Sequence, residues 1–379
     1  MKAGETDRND EKRRLLLQEY LQNFKKYAMM ALQKGKTGAG EAILPAAPKN
    51  WICGGIVMKF KVYYTTHLSD VATQIFTNND VEVKVASGLG EELYLKELKE
   101  YQPDVIMCRT EPVTAAMMDV CTNLKGIGKQ GAGLDNIDMD YATSKKIQVV
   151  FAPAGNANAV AEHAVMLMMM AARRFNYVDR QFRNGNFFVR MGLENTVEVQ
   201  GKTLGLIGCG RISKLFAGKC INGLGMKAIG YDPYVTKEQL NGLPIELKDS
   251  AEEIWKTADF VSIHLPLMPA TEHTVGMEQF KMMKPRAIFL NVARGGLIHE
   301  EEMVEALKTG VLFGAALDVY EPEPLCENSR QLLDMDNVIL TPHTAATTEE
   351  SVINCCTSCA TDLVNICYGR PVVCPANKI

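Results

Sequence analysis

Three polar side chains, each just past a short apolar run, could work as one chemical unit. They are Arg294 in NVARGG, Glu323 in LDVYEPEP and His343 in ILTPHTAATTEES. An arginine can grip a carboxylate through two parallel N–H bonds and polarise the carbonyl beside it. A histidine can take the proton of a hydroxyl as hydride leaves the same carbon. A glutamate next to that histidine can fix its tautomer and stabilise its charged form. Singly, each has a plainer reading: a solvated loop arginine, a surface acid among prolines, a helix-capping histidine. Together, at three successive strand ends, they point to hydride and proton exchange on a carbon adjoining a carboxylate.

Hydride chemistry calls for a cofactor, and LGLIGCGRIS offers its seat. Gly208 permits a tight strand-to-helix turn, and Gly210 lets a pyrophosphate approach backbone at a helix N-terminus. The third small position is Ser213 rather than glycine. Asp232, in IGYDPY, closes the next strand. A carboxylate there accepts bonds from both ribose hydroxyls and repels a 2′-phosphate, which selects NAD over NADP.

These residues need a scaffold that brings strand ends together. From Met58 onward, short β-branched runs alternate with helical patterns, implying βαβ units and parallel sheets. Candidate strands are 59–64, 81–86, 104–108, 124–129 and 147–151. A long apolar helix over 157–175 follows, then a second array at 203–208, 226–231, 259–264, 287–292, 315–320 and 338–340. Six such strands suit a dinucleotide fold. A last helix over 349–368 lies beyond the sixth strand and can return to the first array.

On the motifs quoted, the sequence resembles the D-isomer-specific 2-hydroxyacid dehydrogenases over Met58 to Arg370. That group includes phosphoglycerate dehydrogenase, hydroxypyruvate reductase and D-lactate dehydrogenase. The resemblance implies two doubly wound parallel-sheet domains. A flavodoxin-like substrate domain would take 58–156 with 346–379, and a Rossmann NAD-binding domain 157–345. It assigns the catalytic arginine, acid and histidine to Arg294, Glu323 and His343. Asp318 would hold the nicotinamide amide. Arg211, Ile212, Val292 and Ala293, with the Leu265-Pro266 turn, would line the cofactor. Arg109 in CRTEPVT and the N–H groups of Gly131, Ala132 and Gly133 in KQGAGLDNID would receive the substrate. The CRTEPVT loop is one residue shorter than in the phosphoglycerate enzymes. The implied substrate is a small 2-hydroxy or 2-oxo acid of the hydroxypyruvate, glyoxylate or 3-phosphoglycerate class. A NAD-sensing corepressor-like binding protein shares this fold and is the alternative from another class. A formate-type dehydrogenase would carry glutamine in place of Glu323.

The net charge of -4 gives no global attraction to nucleic acid or anionic membranes. The longest apolar run, Ala164 to Ala172 with its Met cluster, is too short to span a bilayer. Eleven cysteines without a regular framework suggest reduced thiols in a cytoplasmic protein. The CxxC pair Cys356 and Cys359 lacks a second pair, so no metal site is expected. His163, inside the apolar helix, is most simply a satisfied core or interface histidine. The nearby methionines suit packing at a subunit contact, as in a homodimer. The first 57 residues carry ten basic against six acidic side chains, and a Gly/Ala/Pro-rich linker follows their helical stretch. They form an extension ahead of the fold, for which a translation start at Met58 is a simpler account than a partner-docking helix.

Overall fold

The computed structural model describes residues 59–379 except 68, 324 and 326–328. The extension expected over 1–57 and the proposed start at Met58 lie outside the described residues.

The first lobe runs β1 (Phe60–Tyr64), α1 (Asp70–Thr77), β2 (Val81–Val85), α2 (Glu91–Tyr101), β3 (Val105–Cys108), α3 (Ala115–Asp119), β4 (Gly126–Lys129), α4 (Met139–Ser144) and β5 (Gln148–Phe151). Its sheet has the order β2-β1-β3-β4-β5, and every pairing is parallel. Strands buried on both faces need continuous apolar runs, and VIMC of β3 is wholly buried. Short polar residues start the helices. The Ser69 hydroxyl accepts from the Val71 N–H, and the Asp138 carboxylate from that of Tyr141.

The chain then crosses through α5 (Ala157–Ala172) and α6 (Phe175–Arg183). The single helix expected to Phe175 divides because Arg174 takes a left-handed φ of 51°. The second lobe continues with β6 (Thr203–Ile207), α7 (Arg211–Leu224), β7 (Lys227–Tyr231), β8 (Ile245–Leu247), α8 (Ala251–Thr257), β9 (Phe260–Ile263), α9 (Met277–Met282), β10 (Ile288–Asn291), α10 (Glu300–Thr309), β11 (Gly314–Leu317) and β12 (Val338–Leu340). Its parallel order is β12-β11-β10-β9-β6-β7-β8. β8-β7-β6-β9-β10-β11 is the doubly wound dinucleotide order, extended beyond β11 by β12, so the sheet has seven strands; β8 is the one absent from the expected six.

α11 (Glu349–Cys367) closes the first lobe. Thr348 caps it by accepting from the Ser351 N–H at 3.1 Å. Cys356, Cys359, Ala360, Leu363 and Cys367 follow helical spacing and pack with Val62, Tyr64, Val105 and Met107. All nine described cysteines are free thiols, eight of them buried. Among the described residues no helix is long and apolar enough to cross a membrane, and no His/Cys/Asp/Glu group is arranged to hold a metal.

Candidate active site

β6 ends at Ile207, and the chain must reverse into α7 within a few residues. Gly208 makes that turn at φ 91°; a Cβ there would stand 2.7 Å from the His264 carbonyl oxygen. Its N–H donates to Tyr231 O at 2.8 Å, which locks the turn to β7. Gly210 is the N-cap of α7 and supplies no side-chain cap, so the N–H groups of the first turn face outward without one. A Cβ on Gly210 would meet nothing within 4 Å, so the space above this helix end is open. Arg211 and Ile212 open the helix, and Ser213 is buried with its hydroxyl on Gly210 O. Serine therefore fits the position where helix and strand press together.

Asp232 stands at the end of β7, its carboxylate accepting from Cys209 N and Tyr234 N, each at 2.9 Å. The Cys209 bond holds the acid at the glycine turn, the Tyr234 bond fixes it within its own loop, and lone pairs remain for sugar hydroxyls. Across the switch point, Leu265 and Pro266 follow β9, and Val292 and Ala293 follow β10. His264 bonds Ser262 Oγ at 2.9 Å, and loss of solvent around its ring pushes it down to about 4, so it is neutral beside this turn. An uncapped helix N-terminus, an open glycine and an aimed carboxylate fit a dinucleotide.

The second set gathers where the lobes meet. His343 Nδ1 lies 2.7 Å from Glu323 Oε2, and the imidazole is about one-third exposed. Among the described residues, Nε2 has no partner. His343 takes a left-handed φ of 53°, an unfavourable backbone for a residue with a Cβ. Its N–H offsets this by donating to Asp318 O at 2.8 Å and Thr341 O at 3.0 Å. Arg294 Nε donates to Asp135 Oδ1 at 3.0 Å and Nη1 to Ala293 O at 2.7 Å. Three guanidinium N–H groups remain for a ligand. Burial alone would raise the Asp135 carboxyl; the Arg294 charge, hydrogen bonds from its own backbone and from Arg294, and the Lys129 charge together outweigh it and hold the acid below the usual carboxylate range. Asn291 shapes the Arg294 turn, donating to Arg294 O and accepting from Ala293 N.

Asp318 is 1% exposed, and its carboxylate faces the chain itself. It accepts from Thr341 Oγ1, Thr344 N and Ala345 N at 2.6, 2.8 and 2.9 Å, with His163 Nε2 at 3.4 Å. Any bond to a nicotinamide amide would share an acceptor already in use. Burial favours the neutral acid, but these donors hold the carboxyl below its ordinary value.

The first-lobe loops face this set. Gly131 does not offer its N–H outward, because it donates to Lys129 O at 2.9 Å. That narrows the expected cradle to the N–H groups of Ala132 and Gly133, which have no partner among the described residues. Gly133 lies against the Arg294 guanidinium, with no room for a Cβ. Arg109 reaches over to Thr347, donating to its hydroxyl at 3.0 Å. Lys129, a buried lysine that sequence reasoning misses, donates to Arg109 O and to Asn136 Oδ1 and so ties the two loops together. Desolvation lowers its ammonium below the ordinary lysine value. Its only sequence signal is a charge inside an otherwise apolar strand end.

Residues 165–345 match the family described as D-isomer specific 2-hydroxyacid dehydrogenase, NAD binding domain. A D-3-phosphoglycerate dehydrogenase of Archaeoglobus fulgidus is 38% identical over 312 residues, covering 82% of this chain and 58% of that protein. A hydroxypyruvate reductase of Thermotoga maritima is 38% identical over 297 residues, covering 77% of this chain and 94% of the relative. The crystal structure of the TT0316 protein from Thermus thermophilus superposes with a TM-score of 0.76 at 30% identity, over 84% of this chain and all of that one. The chain spans somewhat over half the length of the phosphoglycerate dehydrogenases it matches. With the parallel sheets, the glycine turn aimed at by Asp232 and the His343–Glu323 pair, these likenesses place the chain in the D-isomer-specific 2-hydroxyacid dehydrogenases, with NAD as its cofactor.

Proposed function

We propose that this chain interconverts a small D-2-hydroxy acid and its 2-oxo acid, using NAD or NADH. Bound NAD supplies the hydride acceptor or donor. Arg294 and the free N–H groups of Ala132 and Gly133 hold the substrate carboxylate, and the guanidinium polarises the adjoining oxygen. His343 Nε2 takes the hydroxyl proton in oxidation and returns it in reduction. Glu323 accepts from Nδ1–H, which keeps Nε2 the working nitrogen and steadies the imidazolium. Gly208, Gly210, Arg211, Ile212, Leu265, Pro266, Val292 and Ala293 line the cofactor, with Asp232 on the ribose hydroxyls. Asp318 shapes the catalytic turn first and meets the nicotinamide amide only by sharing an acceptor. Arg109 faces the substrate's far end, in keeping with hydroxypyruvate, glyoxylate or a 3-phosphoglycerate-type acid. The lobes correspond to domains of 58–156 with 346–379 and of 157–345.

The observation that carries this reading is the 2.7 Å His343–Glu323 contact, with Nε2 unpartnered among the described residues. Loss of NADH absorbance on adding glyoxylate, hydroxypyruvate, pyruvate or 3-phosphohydroxypyruvate tests it. NADH binding without turnover on any of them would favour a NAD-sensing protein instead.

The working unit is a homodimer in the cytoplasm. Phe182, Phe187, Phe188 and Met191 are 54–79% exposed along α6 and the turn after it. A monomer rarely leaves so dense an aromatic patch in water. A sedimentation mass equal to one chain at micromolar concentration would refute the dimer.

A further inference from the structure

We propose that His163 is a positioning residue for proton transfer, acting on His343 through Thr341 and Asp318. The proposal rests on the dehydrogenase reading above, and its test separates the two.

The protons settle the direction of each bond. The Thr341 hydroxyl has one proton, and the carboxylate of Asp318, 2.6 Å away, can only accept it. His163 Nε2 lies 2.9 Å from the same hydroxyl oxygen, so it must donate. His163 therefore carries a proton on Nε2 whatever the state of Nδ1. The chain of donors ends on a carboxylate that also receives the N–H groups of Thr344 and Ala345, while Asp318 O receives that of His343. One aspartate thus fixes positions 341, 343, 344 and 345. Tyr320 Oη anchors the remaining Thr341 carbonyl at 2.9 Å.

His163 supplies what the turn lacks from its own lobe strands: a donor from α5. That helix is held by Val160, Ala161, Ala164, Leu167 and Met168, all buried in the core that includes Leu290, Ala316 and Ile339 of β10 to β12. Its neighbour Glu162 points the other way, bonding Asn158 and Lys219 at the surface. The imidazole is therefore the polar link between the connecting helix and the strained turn at His343. Without that donor Thr341 keeps its bond to Asp318 but loses a restraint, and the turn at φ 53° is free to relax.

The test compares His163→Leu, His163→Gln and Thr341→Val. Leucine fills the volume without donating, whereas a glutamine N–H can reach the same oxygen. His163→Leu and Thr341→Val should each lower turnover roughly ten- to hundred-fold, the scale of a displaced catalytic group, with NADH affinity changed less than about threefold. His163→Gln should stay within about threefold of native turnover. The double variant His163→Leu with Thr341→Val should be no worse than Thr341→Val alone, since losing the hydroxyl already removes the bond that His163→Leu cuts, along with the one to Asp318. Independently of turnover, the Cε1 resonance of His343, assigned by its loss in His343→Asn, should shift or broaden in His163→Leu and return in His163→Gln. Native turnover together with an unmoved His343 resonance in His163→Leu overturns the proposal. So does a folded His163→Gln protein as impaired as the leucine variant. If the native chain reduces no 2-oxo acid, the dehydrogenase reading fails and the resonance decides the positioning role alone. If His163→Leu does not fold, Thr341→Val and His163→Gln decide it by the same two readouts.

Discussion

The Arg294 guanidinium sets its Nη2 end against Gly133, so that the arginine of one lobe occupies the space where the other lobe would carry a side chain. The Arg294–Asp135 bond beside it is partly exposed and is worth about 1 kcal/mol or less as a stabilising pair. Its effect is orientation. Gly133 has no left-handed φ, so alanine is acceptable to the backbone there, and what its Cβ would meet is the Arg294 guanidinium and the Asp135 carboxylate. Gly133→Ala should raise substrate KM about tenfold or more while melting temperature and NADH affinity stay near native. Arg294→Lys, which keeps charge but loses the planar fork, should raise KM and lower kcat together. Unchanged KM in both variants would show that the substrate carboxylate binds elsewhere.

The His343–Glu323 pair makes a sharper division. His343→Ala should lower turnover by roughly a hundred-fold to ten-thousand-fold, the range for a lost general acid/base. Glu323→Gln keeps the size and an acceptor oxygen but removes the charge that steadies the imidazolium. It should cost roughly ten- to hundred-fold in turnover, the scale of a hydrogen bond to a charged group. NADH titration followed by fluorescence should show near-native affinity in both. A His343→Ala enzyme with full turnover on every acid the native chain reduces would discard the mechanism.

In the proposed function, cofactor choice rests on Asp232. Its carboxylate is held by two backbone N–H groups, so removing the side chain also loosens the glycine turn. Asp232→Asn isolates the charge, because an amide oxygen can still accept one of those bonds. The variant should gain at least about tenfold in kcat/KM with NADPH and lose with NADH, since a like-charge clash with the 2′-phosphate is gone. Equal use of NADPH and NADH by the native chain would contradict the assignment.

Acid stability should follow Asp318. Burial raises its carboxyl, but His163, Thr341, Ala345 and Thr344 hold it below the ordinary value, so the folded chain binds this proton more weakly than the unfolded one. The stabilisation is complete above the ordinary aspartate value near 4 and is lost as pH falls through the lower folded value. Melting temperature of the native chain should therefore fall below about pH 4 more steeply than that of Asp318→Asn. Parallel acid limbs for the two proteins would show that Asp318 is not depressed.

The features legible in the sequence are those that depend on local pattern. Gly208, Gly210 and Asp232 sit at fixed distances around a strand–turn–helix, and their roles follow from backbone rules. Arg294, Glu323 and His343 mark strand ends that any parallel sheet brings to one side. The edge strand β8 escapes notice because Ile245–Leu247 is too short to show alternation. The break after Ala172 is equally hidden, since nothing in the residue type of Arg174 announces a left-handed φ. Lys129 and Asn136 stay invisible because their work is hydrogen bonding between segments far apart in the chain, and Asn291 because it bonds only within its own turn, to Arg294 O and Ala293 N. Asp318 reads as a cofactor ligand for the same reason: the donors that occupy it come from residues 23 to 27 positions later and from α5.

The return of α11 to the first lobe has a consequence for how the chain is made. Tyr368 Oη bonds Asn79 O across 289 positions, and Asn377 fastens Ile147, Val149 and Thr143. On the ribosome, β1 to β5 emerge first, yet the helix that covers one of their faces is synthesised after all of β6 to β12. The nucleotide lobe can therefore reach its native packing while its elder neighbour still shows an uncovered apolar sheet. For that interval of synthesis, Val62, Tyr64, Val105 and Met107 are the surface a chaperone would have to guard.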